Sequence, residues 1–189
     1  MNFKFLLTFI AMICLGLSQY VAAQNAVDDQ MKFISEQNTA TSTGISDGSL
    51  FVHRLTLNAG EGKTWGKYAQ YQETLYCYFE IKNNTPILKK IAITTNIASR
   101  QGYADYLFDE AGNLLLALDN SDIKDLNKLA RYYFSGRSLI MITTPEGDPK
   151  DASNFTAENL EKGMEYMKKA TNYKKMFDSL VAVQMPITR

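Results

Sequence analysis

His53 and Cys77 carry the only imidazole and, apart from Cys14, the only thiol in the chain. An imidazole can act as a general base, and a thiol beside it as a nucleophile. Both residues alternate with apolar side chains, which is typical of packed positions on strands, and no cysteine-enzyme signature flanks them. A zinc site would need a second histidine or a cysteine pair, so zinc is excluded. We expect His53 to be a packed core residue, or else to line a pocket, and Cys77 to be an inert buried thiol.

Other catalytic and cofactor motifs are missing from the sequence. It contains no Gly-x-Ser-x-Gly, no glycine-rich phosphate loop and no dinucleotide-binding fingerprint. Asp119, Asp122 and Asp125 recur at every third residue, but the glycine and the terminal glutamate of a calcium loop are lacking. We interpret this stretch as a solvated acidic loop, and we expect no cofactor and no metal.

Tyrosine is the unusual feature of the composition, with 11 residues against one tryptophan. A tyrosine suits a half-wet surface, because its ring needs cover and its hydroxyl needs a partner. Two interpretations fit: the polar side of a sheet under a helix, or a concave aromatic surface that holds a peptide, a glycan or a protein loop. Under the second interpretation, the candidate ligand-binding residues lie on the polar sides of two strands, and the histidine joins them. They are Tyr76, Tyr78, Glu80, Arg131, Tyr133 and His53.

Alternating residues predict three consecutive β-hairpins in the middle of the chain. The strands are expected at 75–81 and 87–95, at 103–108 and 114–118, and at 129–134 and 138–143, with short turns between the members of each pair. The last two hairpins repeat one pattern, which begins at Ala104 and again at Ala130 and includes a turn glycine, Gly112 or Gly136. Repetition of a hairpin with a short turn predicts an antiparallel meander.

This Tyr-x-Phe, turn-glycine, Leu-x-x pattern resembles the hairpins that recur in uncharacterised bacterial exported proteins, over residues 76–143. The resemblance implies a meander architecture and an exported protein. It implies no activity, cofactor or site residue.

The segment before the hairpins is predicted to hold one helix and one strand. Apolar residues at helical spacing from Val27 to Ile34 predict a short helix over 26–37. A loop rich in Thr, Ser and Gly is expected at 38–48, and alternation then predicts a strand over 49–58.

The chain is predicted to close with a long helix over 157–182, with Thr156 as its N-cap. We expect one apolar stripe to cover a face of the sheet, consisting of Leu160, Met164, Met167, Tyr173, Phe177 and Leu180. The densest basic stretch of the chain also lies on this helix, at Lys168, Lys169, Lys174 and Lys175. Because glutamates accompany it, we interpret it as a solvated helix face.

Residues 1–23 predict a cleavable secretory signal. An uncharged apolar run over 5–17 is shorter than the roughly 20 residues of a membrane span, and small residues place the cleavage after Ala23. A membrane anchor is the alternative, and the residues before Cys14 disfavour a lipoprotein. We expect a single domain over 24–189 in the periplasm or outside the cell, with no membrane span after cleavage.

Lysine plus arginine and aspartate plus glutamate balance at 20 each, and no basic patch of the size that nucleic acid needs is present. We therefore expect no nucleic-acid partner. The predicted hairpins and helices together indicate an α+β domain, with an antiparallel meander of six or seven strands between a short N-terminal helix and a long C-terminal helix packed on the sheet. The leading functional hypothesis is a non-enzymatic binding module for a peptide, a glycan or an envelope protein. The alternatives are a small hydrolase or isomerase with a cone-shaped pocket near His53, and a structural or inhibitory domain that presents its hairpins to another protein.

Overall fold

The computed structural model describes residues 26–58, 71–97, 100–120, 129–145 and 147–184. The predicted signal, Trp65 and most of the predicted acidic loop lie outside these ranges. The described helices and strands, in chain order, are α1 over 26–46, β1 Phe51–Leu57, β2 Tyr71–Lys82, β3 Thr85–Ile97, β4 Arg100–Phe108, β5 Leu114–Asn120, β6 Arg131–Ser135, β7 Ser138–Thr144, β8 Gly147–Asp151 and α2 Ala157–Gln184.

The strands form one antiparallel sheet in which every strand pairs with its sequence neighbours, in the order β1 to β8. The predicted α+β class and the meander are confirmed. The sheet has eight strands where six or seven were expected, because β8 was not predicted. Its residues, Gly147 to Asp151, show no alternation of apolar and polar side chains, and Pro149 is tolerated because β8 is an edge strand.

Three of the hairpin turns depend on residues that accept positive φ angles. Asn83 and Asn84 have φ of 52° and 59°, the pattern of a type I′ turn between β2 and β3. Gly112 and Gly136, with φ of 81° and 58°, lie in the β4–β5 and β6–β7 turns. Because alternate strands of an antiparallel sheet run in the same direction, all three turns lie at one end of the sheet.

Helix α2 covers one face of the sheet with a stripe that only partly matches the predicted one: Phe177 is buried and Met167 and Tyr173 pack against the core, as predicted. The buried residues of α2 are Gly163, Tyr166, Ala170, Phe177 and Val181. Leu160 and Met164 were predicted to be buried but are 47% and 60% exposed, so that part of the prediction is wrong. The prediction relied on large apolar side chains, whereas the helix also contacts the sheet through small residues. Gly163 lies so close to β7 that a Cβ on it would be 3.2 Å from Leu139 Cδ2.

The first turn of α2 is capped as expected. The Thr156 hydroxyl accepts a hydrogen bond from the Asn159 backbone N–H at 3.2 Å, and the Asn159 side-chain oxygen accepts one from the Thr156 N–H at 3.1 Å. This reciprocal capping satisfies two backbone donors that the helix cannot pair internally.

Helix α1 lies on the opposite face, and it is longer than predicted. Its Ile34 packs with Leu107, Leu115 and Leu116 of β4 and β5. The Thr- and Ser-rich stretch that was expected to be a loop continues the helix to residue 46, so that prediction is wrong. Packing overrides the weak helix propensity there, since Thr41 and Gly44 are both buried.

The helix ends because Gly48 adopts φ of 73° and Leu50 folds back, donating from its N–H to the Gly44 carbonyl. Among the described residues, neither helix has a segment long and apolar enough to cross a membrane.

Candidate functional site

Cross-strand register gathers tyrosines and charges from β2, β3 and β4 on the face opposite α2. Tyr78 lies across from Lys90, and Tyr76 and Asp105 lie on either side of Ala92. Tyr103 is two residues before Asp105 on β4 and therefore shares its face. We call these residues, Tyr76, Tyr78, Lys90, Tyr103 and Asp105, the tyrosine patch.

A buried ion pair lies at the centre of the tyrosine patch. The Lys90 ammonium contacts Asp105 Oδ2, and the two side chains are only 13% and 7% exposed. The Tyr103 hydroxyl donates a hydrogen bond to the same oxygen at 3.1 Å. Desolvating two charges is costly, so such a pair persists only where the geometry and additional hydrogen bonds compensate. Asp105 Oδ2 has both kinds of compensation, the Lys90 ammonium and the Tyr103 hydroxyl.

The other oxygen of the same carboxylate has none. Asp105 Oδ1 is buried and makes no hydrogen bond to any described residue. A buried polar atom left without a partner costs about 1–3 kcal/mol, and more for a charged group, so native proteins rarely leave one. The group that satisfies Oδ1 must be a hydrogen-bond donor: a buried water molecule, or a ligand hydroxyl or amide group that is admitted when a neighbouring side chain moves.

The tyrosine hydroxyls around this carboxylate stay protonated. Burial raises the pKa of Tyr103, and the nearby negative charge of Asp105 raises it further. Burial also raises the pKa of Tyr78, with a smaller contribution from Tyr76. Because these phenols keep their protons well above neutral pH, they present both a donor and an acceptor to a ligand.

The outer side of the tyrosine patch is aromatic and cationic. The rings of Tyr76 and Tyr78 are nearly parallel, with centroids 6.4 Å apart and an interplanar angle of 13°. The Arg54 guanidinium on β1 lies 5.7 Å from the centre of the Tyr76 ring. Both rings are half-buried, so each keeps exposed surface, and Ala92 leaves the face shallow beside Tyr76.

Of the predicted site residues, Glu80 lies at the border of the tyrosine patch but is already occupied. Its carboxylate pairs with the Lys89 ammonium at 2.9 Å. Glu110 in the next turn pairs with Lys82 at 3.1 Å, and that contact, with the charges of Lys82 and Lys89, lowers the pKa of the Glu110 carboxyl. The Lys82–Glu110 pair joins the β2–β3 hairpin to the β4–β5 turn, and the Glu80–Lys89 pair lies within that hairpin, so both have a structural role.

Arg131 and Tyr133 share the face of Tyr78 but lie far from it. Register aligns Tyr78 with Tyr133 through three intervening strands, which places them about 19 Å apart at the usual strand spacing. Leu107 and Leu116 fill the row between them and pack under Ile34 of α1. The Tyr133 hydroxyl lies 3.4 Å from the Thr143 hydroxyl. The structure therefore does not bring the two predicted groups together.

His53 lies on the α2 side of the sheet. Its ring stacks on Phe79 with centroids 5.0 Å apart and tilts against Phe177 at 6.5 Å. Within the described ranges it makes no hydrogen bond or ion pair, and no group of three or more His, Cys, Asp or Glu side chains there could hold a metal ion. The enzyme hypothesis around His53 stays a prediction.

Cys77 is fully buried, as expected, and burial raises the pKa of its thiol from 9.0 to about 11. As the pH rises, the thiol loses its proton in the unfolded chain before it does so in the folded protein. The stability that the raised pKa contributes is therefore complete below about pH 9 and is lost as the pH rises towards 11. The full loss is on the order of 3 kcal/mol. We expect the unfolding free energy to fall between these pH values and to fall less in Cys77→Ala, measured by urea denaturation. An equal pH dependence in both proteins would contradict this.

Lys90, Tyr103 and Asp105 were not predicted as site residues. One local signal was present, since Asp105 is the one charged residue in the run from Gly102 to Phe108. The contact with Lys90 carried no local signal, because it depends on the register of β3 against β4.

Comparisons with known proteins gave no match: no protein-family model, no curated protein and no solved structure matches this chain. The predicted resemblance to exported bacterial proteins therefore stays a prediction, and the function has to be argued from the tyrosine patch.

Proposed function

We propose that this protein is an exported, non-enzymatic binding module whose tyrosine patch binds a glycan. The observation that carries the proposal is the placement, on one face of the sheet, of two half-buried tyrosine rings and a buried carboxylate whose Oδ1 has no hydrogen-bond donor among the described residues. Export rests on the predicted signal at residues 1–23.

A glycan fits this chemistry for three reasons. Its hydroxyl and acetamido groups are donors to the tyrosine hydroxyl oxygens and, once a neighbouring side chain moves, to Oδ1. Its ring C–H surfaces pack against the Tyr76 and Tyr78 rings, which are apolar in the middle and polar at the tip. The face continues into hydroxyl and amide side chains: Thr94 and Asn96 of β3 are exposed, and the Asn96 amide donates to the Gln72 side chain at 3.3 Å.

The test is a titration with the neutral N-acetylglucosamine trimer, followed by calorimetry and by NMR of the backbone amides. We expect Tyr76→Ala to weaken binding by about tenfold or more, because an aromatic anchor is lost. Tyr78→Phe removes only a hydroxyl and should weaken binding by roughly three- to tenfold. Amide shifts are expected on β2, β3 and β4.

Tyr133→Phe is the matched control, because it removes a hydroxyl from the same row of the sheet at the far side of α1. It should leave binding unchanged. The proposal fails if Tyr133→Phe and Tyr78→Phe weaken binding equally, or if the trimer does not bind. Binding of an uncharged peptide in place of the trimer would instead assign this face to a protein partner.

A further inference from the structure

The two repeated hairpins place their turns against α2 and enclose a cleft of about 560 Å³. The β4–β5 turn, with Gly112, forms one wall, and the β6–β7 turn, with Gly136, forms another. The Lys174 side chain packs tightly on Gly112: a Cβ there would lie 2.2 Å from Lys174 Cε. This contact holds the first turn close to the helix. The repeat seen in the sequence thus has a structural consequence that the tyrosine patch does not use.

The cleft is positively charged. Arg137, Lys168 and Lys175 line it, and in the described part of the chain no acidic side chain does. None of these three cations has an ion-pair partner among the described residues, whereas their neighbours on α2 do: Lys169 pairs with Glu165 at 3.1 Å and Lys174 with Asp178 at 2.8 Å. The basic stretch that the sequence indicated as a solvated face is therefore divided, and half of it lines a cavity.

The rest of the lining is polar at the sides and apolar at the base. Asn113, Thr171 and Asn172 supply amide and hydroxyl groups, while Leu114 is buried and Met167 half-buried. Both carboxylates of the adjacent turn are occupied. Asp109 accepts hydrogen bonds from the Asn113 N–H at 2.7 Å and from its side-chain amide at 2.8 Å, and Glu110 pairs with Lys82 at 3.1 Å.

We propose that this cleft binds an acidic sugar, meaning a sugar-sized molecule that carries a phosphate or a carboxylate group. The anionic group pairs with the guanidinium of Arg137 and the two lysine ammonium groups, since a guanidinium forms paired hydrogen bonds to either anion. The sugar hydroxyls bond to the Asn and Thr side chains, and its apolar ring face lies on Leu114 and Met167. A cleft of this size accommodates a ligand of that class. It shares no residue with the tyrosine patch, so either proposal can fail alone.

The experiment titrates the protein with glucose 6-phosphate, glucuronate, inorganic phosphate and glucose, each followed by NMR of the backbone amides. We expect the two acidic sugars to bind, with amide shifts in both turns and in the middle of α2, and we expect higher ionic strength to weaken binding. Comparison of the first two probes distinguishes a phosphate from a carboxylate preference. Glucose should not bind measurably at about 10 mM.

Arg137→Ala and Lys175→Ala should each weaken binding of the preferred acidic sugar by about tenfold. Lys162→Ala is the matched control, because Lys162 is an exposed lysine of α2 that does not line the cleft. All three side chains are exposed, so the variants are expected to fold. Equal binding by wild type and Arg137→Ala, or equal binding of glucose, overturns the proposal. Inorganic phosphate that binds as tightly as glucose 6-phosphate overturns its sugar part.

Discussion

Phe177→Ala is expected to lower the free energy of unfolding by about 3–5 kcal/mol, the range for removing a fully buried aromatic side chain. Phe177 is 1% exposed, and its ring lies 5.3 Å from that of Phe79 and 6.5 Å from that of His53. It therefore joins α2 to both β1 and β2. Urea denaturation monitored by circular dichroism measures the effect. Phe177→Leu, which leaves a smaller cavity, should cost less.

Met164→Ala is the matched control for this experiment. Met164 lies on the same helix, was predicted to share the stripe of Phe177, and is 60% exposed. Its replacement should change the unfolding free energy by no more than about 0.5 kcal/mol, as is usual for a surface position. A comparable loss in both variants would contradict the exposure of Met164 and would mean that the helix also packs through this residue.

The hairpins could be predicted because their signals are local. Alternation of Tyr76, Cys77 and Tyr78 indicates a strand whose two faces differ, and two asparagines or one glycine suffice to make a hairpin turn. The cap of α2 is local as well, since Thr156 and Asn159 are three residues apart. Features that depend on four to seven neighbouring residues were therefore found.

The predictions that were wrong concern features whose structure depends on tertiary contacts. The end of α1 depends on the burial of Thr41 and Gly44, and the stripe of α2 depends on the close approach of Gly163 to Leu139. Small residues give no hydrophobic signal, although they set how near two elements can come. Strand β8 has neither alternation nor strand-forming residues, and it is a strand because β7 pairs with it.

The tyrosine patch contains residues that local patterns identify and residues that only tertiary contacts bring together. Tyr76 and Tyr78 were identified from composition and alternation. The ion pair beside them was not, because it joins neighbouring strands diagonally and depends on the register of β3 against β4. A one-residue slip of β3 would move Lys90 to the other face, so its place in the patch is a property of the whole sheet.

The Lys90–Asp105 pair is expected to show strong coupling in a double-mutant cycle. Lys90→Met leaves the Asp105 carboxylate buried without its cation, and Asp105→Leu leaves the ammonium without its anion. Each change should lower the unfolding free energy by about 3–5 kcal/mol. The double variant removes both charges and places apolar groups of similar size there, so its loss should be well below the sum of the two. Urea denaturation of the four proteins gives the coupling energy.

The same variants test the proposed function independently of folding. The double variant is expected to keep a folded sheet, which circular dichroism checks, but it lacks the Asp105 carboxylate. It should therefore bind the N-acetylglucosamine trimer at least about tenfold more weakly than wild type. Additive losses in the cycle would show that the two charges do not act as a pair. Unchanged affinity in the folded double variant would show that Asp105 does not contact the ligand, and the carboxylate would then have only a structural role.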